Sequence, residues 1–452
     1  MRLLIFCFVF IALTGKLMAQ FNTTMPFLKG LHQASYINPA YTPEFESSFG
    51  LPGLSGVSAD VGIYGITTGK FVDAINNERF NLNTFYRSLA GNDLNLMLNG
   101  NTELFHVRFK SNRWYWGISS TTRTVADLTL SNDFLNFFIN GNEAFRGKSA
   151  DLSSPNVYVI SYQDLGVSIS KRYKRFNFGI RPKLILGNAL VMMKQFDFRF
   201  NTPLQPTDPI AVQAAGKIYT SNVPLFLDSV DGRAATEKEK DFNDIINNPK
   251  LNTGFGIDLG LEYDISNRMR AQASISDLGF IRWNNNSREY SINKVDVMFG
   301  GITYEQLEND SLLNAYADSL LNLVTPQVSS KTFTTGLPFR VAAGFTYQFN
   351  KRNVFNFIFQ GLKVDKKFLT AYTFSYTKRL GSSFDLAANY SIINNTFNNV
   401  GVGFTALLGP CQIYMIHDNV MAYIMPETMQ YVAFRFGVNF AWHRIKEELR
   451  VY

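Results

Sequence analysis

Near the C-terminus, residues 431–442 read YVAFRFGVNFAW. Val432, Phe434, Phe436, Val438, Phe440 and Trp442 fall on one side of an extended backbone, and Ala433, Arg435, Gly437, Asn439 and Ala441 on the other. Side chains alternate faces along a strand, so this is a strand with one oily face and one small or polar face. The split recurs at 254–265, where Phe255, Ile257, Leu259, Leu261, Tyr263 and Ile265 oppose Gly256, Asp258, Gly260, Glu262 and Asp264. It recurs again at 338–349 and 384–391. Such a strand belongs either to a soluble sandwich, with the oily face as core, or to a membrane barrel, with the oily face on lipid. Aromatics make up 15% of the chain and charged residues only 17%, against about 25% charged in ordinary soluble proteins. The polar faces carry glycine, serine, threonine and single charges rather than a Lys/Glu mixture. The strands also exceed the length of about 5–6 residues typical of globular sheets. These three features favour the barrel.

The connections point the same way. Strands are predicted at about 51–65, 104–110, 113–124, 156–172, 174–188, 253–266, 268–279, 338–349, 353–364, 370–380, 383–393, 398–408, 410–418 and 431–442. Short turns at 110–113, 173–175, 266–268, 350–353, 380–383 and 408–410 follow every even strand. Longer connections at 66–103, 125–155, 189–252, 280–337, 365–369, 394–397 and 419–430 follow every odd one. Outer-membrane barrels alternate short periplasmic turns with long extracellular loops. The expectation is therefore an all-β fold: a transmembrane antiparallel outer-membrane β-barrel of about fourteen strands, with both termini periplasmic. Helices are expected in the extracellular loops at 82–90, 132–140 and 310–324, and extra strands at 190–200 and 216–227.

Residues 1–19 read as a secretory signal, with Arg2 ahead of an apolar run from Leu3 to Leu13 too short to span a bilayer. Cleavage near Ala19–Gln20 removes Cys7 and leaves Cys411 alone, which excludes an internal disulfide. It also lowers the formal net charge from +7 by removing Arg2 and Lys16. No tract suggests nucleic-acid binding. The expected organisation is a signal at 1–19, an N-terminal plug or periplasmic lead-in at 20–50, a barrel at 51–442 and a periplasmic tail at 443–452.

NPAYTPE (38–44), FGLPGLSGVSADVG (49–62), SISDLGFIRWNNN (274–286) and GLPFRVAAGFTYQF (336–349) resemble segments of an uncharacterised Bacteroidota outer-membrane barrel family, a domain of unknown function. The architecture is also loosely similar to the PorP/SprF-type barrels linked to type IX secretion. Its strand count is similar to that of FadL-type transporters. These resemblances imply a fold and a location; fold alone does not give function. The tail after Trp442 departs from barrels that end on a terminal aromatic.

No enzymatic chemistry is expected. His32, His106, His417 and His443 show no metal-binding spacing, and neither a G-x-S-x-G nor a C-x-x-C motif is present. No catalytic residue, metal or cofactor is predicted. Strand phase turns Arg181, Lys183, Asp258, Glu262, Arg270, Arg340, Asp385 and Arg435 toward the lumen. Mixed charges in a confined space pair up, because an unpaired one is costly. These residues therefore either brace a filled barrel or line a polar path for a solute. QASYINPAYTPE (33–44) cannot join a ladder easily because Pro39 and Pro43 lack the N–H donor. Tyr36, Asn38, Pro39, Tyr41 and Pro43 are the candidate plug residues, with the tyrosines packed on lumen glycines. Two functions stay open: a plugged channel for small or hydrophobic solutes, and a scaffold barrel of a secretion or surface-protein complex. The expected partners are outer-membrane lipid, the barrel-assembly machinery, and either a periplasmic lipoprotein or a surface protein.

Overall fold

The alternating strands close on themselves. In the computed structural model, the described residues are 21–445 except 29, 42–43, 68, 71–81, 206–207, 224–250, 300–326, 395 and 427–428. β1 (Phe45–Gly50) and β2 (Val57–Tyr64) form one wall strand broken at residues 51–56, since both pair with the same two neighbours. The wall continues antiparallel through β3 (Leu94–Ser111), β4 (Trp114–Leu130), β6 (Asn156–Tyr173), β7 (Phe176–Thr202), β9 (Asn252–Asp264) and β10 (Met269–Trp283). A second two-piece strand follows, β13 (Phe333–Gly336) with β14 (Phe339–Gln348), both on β10. Then come β15 (Asn353–Val364), β16 (Lys367–Leu380), β17 (Phe384–Ile393), β18 (Thr396–Leu408), β19 (Cys411–His417) and β20 (Tyr431–Arg444). β20 returns to pair with β1 and β2, closing a fourteen-strand barrel.

At one end the strands are joined by tight turns, where Asn112 (φ 56°) and Gly409 (φ 62°) adopt the left-handed backbone that hairpins require. At the other end the β15–β16 and β17–β18 connections, expected to be longer, are only two residues long, while the remaining connections are long and several carry structure. α1 (Leu82–Ser88) and α2 (Asn132–Asn140) occupy two of the expected helical stretches. Ser131 caps α2 by accepting from the Phe134 N–H at 3.2 Å. The expected helix at 310–324 lies outside the described residues. β7 continues past the wall and pairs with β5 (Lys148–Asp151) and β8 (Ile210–Ser221). β11 (Ser287–Phe299) and β12 (Gln327–Ser330) extend that sheet beyond the barrel.

Several boundaries shift. Residues 45–50, expected in the plug or periplasmic lead-in, are wall strand, because their backbone is bonded on both sides. The second wall strand begins at Leu94 rather than 104. His443 and Arg444, expected in a tail, belong to β20, while 446–452 lie outside the described residues.

The outward face is apolar and aromatic. Phe355 packs on Tyr376 at 5.2 Å, Phe357 on Phe374 at 4.9 Å and Phe359 on Tyr372 at 5.2 Å, each a cross-strand pair of β15 and β16. Phe178, Phe345 and Phe374 are more than half exposed. A continuous exposed apolar band of this size is not sustained in water, and it is the lipid-facing band of a membrane barrel. Among the described residues no helix is long and apolar enough to cross a membrane.

Candidate functional site

Inside the wall the side chains form layers. Toward the long connections most inward positions are apolar, among them Met97, Tyr158, Ile160, Ile185 and Trp283, which pack with Ile63, Phe85 and Leu89 near α1. An Asp127–Lys367 ion pair at 2.8 Å lies at the same height. Trp283 is fully buried, and its indole N–H donates to Thr335 Oγ1 at 2.8 Å.

The middle layer is ionic. Lys183 Nζ lies between Asp258 Oδ1 at 2.6 Å and Asp277 Oδ1 at 2.5 Å. Arg181 reaches Asp164 at 2.8 Å and Asp258 at 3.6 Å. Arg123 meets Asp277 at 2.5 Å. Arg435 bridges Asp60, at 2.6 Å, and Asp418. All these groups except Arg123 are almost fully withdrawn from solvent. A buried charge needs an opposite charge and hydrogen bonds to be tolerated, and here each cation has at least two carboxylates. Nearer the tight turns, Arg270 pairs with Glu262 at 3.6 Å and Asp264 at 2.7 Å. Arg379 joins Asp385, at 3.1 Å, to Glu44.

All eight predicted inward residues therefore sit on the inner face, and seven are in ion pairs. Arg340 is the exception. It lines a cavity with Asp60, Glu103, Arg123, Asp277 and Arg435, and its buried Nε has no hydrogen-bond partner among the described residues. The cavity offers about 70 Å³ of water-accessible space, room for several waters but far below the ~300 Å³ of an ordinary ligand pocket.

The described residues from Phe21 to Tyr41 lie inside the wall. Asp418 Oδ1 accepts from Thr23 Oγ1 at 2.7 Å, the Thr24 N–H at 2.8 Å and Thr24 Oγ1 at 2.6 Å. Asn22 and Phe27 offer carbonyls to Gln360 and Thr377. Gln33 donates to the Ser55 carbonyl at 2.8 Å and to Glu103 at 3.0 Å, and accepts from Asn439 at 3.1 Å. His32 stacks on His106, and His106 is bonded to Glu103.

Of the predicted plug residues, Tyr36 lies against Arg181, whose guanidinium carbon is 4.6 Å from the ring centroid. Tyr41 accepts from the Gly30 N–H at 2.9 Å, and its carbonyl accepts from Arg108 at 2.8 Å. The glycine contacts belong instead to Asn38 and Pro39. A Cβ on Gly179 would collide with the Pro39 carbonyl carbon, and one on Gly260 with the Asn38 side-chain oxygen. The backbone at 38–40 comes too close to the wall for any side chain there, whereas the tyrosine rings need the wider space beside Arg181 and Gly30. Pro43 lies outside the described residues. Burial pushes the His32 pKa well below the ordinary value, helped by the nearby His106, Arg108 and Arg181. It pushes the Tyr36 and Tyr41 hydroxyls up.

The ionic layer contains residues that alternation alone misses. Asp277 enters through a bulge in β10 between Ile275 and Leu278, where its φ is 64°. The extra residue reverses the phase, turning Asp277 in and Leu278 out. Glu103 sits at a similar irregularity in β3, and Asp418 lies just past β19. Asp60 did have a signal, since Val57, Ala59 and Val61 alternate with Ser58, Asp60 and Gly62.

Comparisons with solved structures find the Ralstonia pickettii toluene transporter TbuX, 8% identical over 92% of this chain and 95% of that one, with a TM-score of 0.46. The Pseudomonas putida toluene transporter TodX is 9% identical over 95% and 100%, TM-score 0.44. A Pseudomonas aeruginosa FadL homologue is 10% identical over 95% and 100%, TM-score 0.45. No curated protein matches the chain. A family model matches residues 39–418, most of the barrel, and the chain belongs to that family, the family of unknown function DUF5723.

Proposed function

We propose that this protein is a non-enzymatic outer-membrane channel for small apolar or amphipathic solutes, closed by its own N-terminal segment. The observation that carries this reading is the order of layers in the lumen. Apolar side chains lie under the long-loop mouth, a cavity ringed by opposed charges lies at mid-height, and the chain from Phe21 to Tyr41 fills the rest. Among the described residues that segment makes no ladder pairing to the wall: it is held by hydrogen bonds to wall side chains and by packing of Met25, Phe27, Leu28, Leu31 and Ile37 on the inner face. It can therefore leave without opening the barrel. In this arrangement the tight turns face the periplasm and the long connections face outward. The N-terminal signal directs export, and the barrel-assembly machinery inserts the chain among outer-membrane lipids.

The test is single-channel conductance of the mature chain and of a variant lacking residues 21–41, both checked for heat-modifiable migration to confirm a folded barrel. Silence in the first and open-channel steps in the second is the expected result. Silence in both would overturn it and make the protein a filled scaffold, whose periplasmic lipoprotein or surface partner co-purification would then identify.

A further inference from the structure

The lipid-facing wall carries a lysine where acyl chains or headgroups must lie. β6 presents Leu165, Val167, Ile169, Lys171 and Tyr173 outward. Lys171 is paired in register with Trp114 of β4 on one side and Phe178 of β7 on the other. Its ammonium lies 4.2 Å from the centroid of the Trp114 ring. No carboxylate pairs with it among the described residues. A cation on this face is tolerated only near the interface, where its stem lies along apolar surface and its head reaches polar groups.

The register brings further cations beside it. Arg113 precedes Trp114 in the β3–β4 turn. Lys174 lies in the adjacent β6–β7 turn, its ammonium 5.5 Å from the Tyr173 ring centroid. Both are exposed. The described carboxylates at this end are committed elsewhere. Glu44, Glu262, Asp264 and Asp385 are ion-paired on the inner side, and Glu46 is paired with Lys110 at 3.7 Å. The sector thus offers positive charge on an aromatic, membrane-facing surface with no counter-charge paired to Lys171, Arg113 or Lys174 among the described residues.

We propose that Lys171, Arg113 and Lys174 form a binding site for the phosphate of an anionic phospholipid in the leaflet at the tight-turn end. The acyl chains would lie along Trp116, Ile118 and Val167. The site rests on the barrel's placement in a bilayer and not on the lumen being a channel, so loss of lipid preference and loss of conductance are separate results.

The test reads Trp114 directly. Trp116 and Trp442, both outward, are replaced by Phe, and Trp283 stays in place because it is buried in the interior. The folded full chain is reconstituted in phosphatidylcholine vesicles doped with brominated phosphatidylglycerol or brominated phosphatidylcholine. At equal low mole fraction, Trp114 should be quenched about fivefold more effectively by the anionic lipid, as expected for several cations at a charged surface. R113Q/K171Q/K174Q should remove the preference, and K171R alone should keep it. K351Q/R352Q/K378Q, across the barrel, should leave it unchanged. Equal quenching by both lipids in the parent protein would overturn the proposal, as would a preference that survives the triple substitution. Erasure of the preference by inorganic phosphate, at an ionic strength where sodium chloride has no effect, would mean a free-phosphate site and would also overturn it.

Discussion

His32 lies flat on His106, with ring centroids 3.8 Å apart and planes 12° apart, so the N-terminal segment meets β3 through two stacked imidazoles. Glu103 and Arg108 of β3, Arg181 of β7 and Tyr36 of the segment itself surround them. Burial is the main cause of the lowered His32 pKa. The undocked segment therefore binds its proton at a higher pH than the docked one. Docking is then at full strength above the unperturbed value of about 6.5 and weakens as pH falls below it. Conductance recorded from pH 7.5 down to pH 5 should rise, and His32→Gln should flatten the profile. A profile unchanged by the substitution would remove His32 from the cause.

Gly179 and Gly260 face each other across β7 and β9, directly under Asn38 and Pro39. Gly179→Ala or Gly260→Ala should weaken docking by about 1–3 kcal/mol, the usual cost of overpacking. Limited proteolysis should then cut within the segment much faster, while the barrel keeps its heat-modifiable migration. An equally resistant segment in both variants would contradict the close approach.

Asp418 accepts three hydrogen bonds from Thr23 and Thr24 and also pairs with Arg435. Thr23→Ala with Thr24→Ala leaves the carboxylate its Arg435 partner and should cost the segment roughly 1–3 kcal/mol. Asp418→Ala also strips a carboxylate from buried Arg435, and about 3–5 kcal/mol is expected from breaking such a pair. The midpoint of heat-induced gel shift should fall for Asp418→Ala well below that of the threonine pair.

Lys183 serves two carboxylates, Asp258 and Asp277. Lys183→Met should destabilise the barrel by about 3–5 kcal/mol, and Lys183→Met with Asp277→Asn by clearly less. A double variant as unstable as the single one would mean that the Asp277 charge is fully compensated by Arg123.

The barrel was legible because lipid on one side and a narrow lumen on the other impose a strict period of two over long strands. β20 and β9 display it from end to end. It fades in β6, where inward Tyr158, Ile160 and Tyr162 are as apolar as outward Val157 and Val159, since the upper lumen is itself largely apolar. It breaks at bulges, so Lys183 is readable while its partner Asp277 is not. The N-terminal segment could be placed by what its prolines forbid. Its actual anchors, Thr23, Thr24 and Gln33, are ordinary polar residues whose role depends on partners hundreds of positions away.

That separation has a consequence for how the molecule is made. Thr24 binds Asp418, Phe21 offers its carbonyl to Tyr431 and Gln33 meets Asn439, spanning 394, 410 and 406 residues of chain respectively. The segment that fills the lumen is synthesised early and has partners that are synthesised last, and β1 and β2 wait equally long for β20. Seam and filling therefore come together at the final step of assembly. Contacts of such long range make that step slow, and a chain cut short before β20 would lack both its closing strand and much of the surface that holds its beginning.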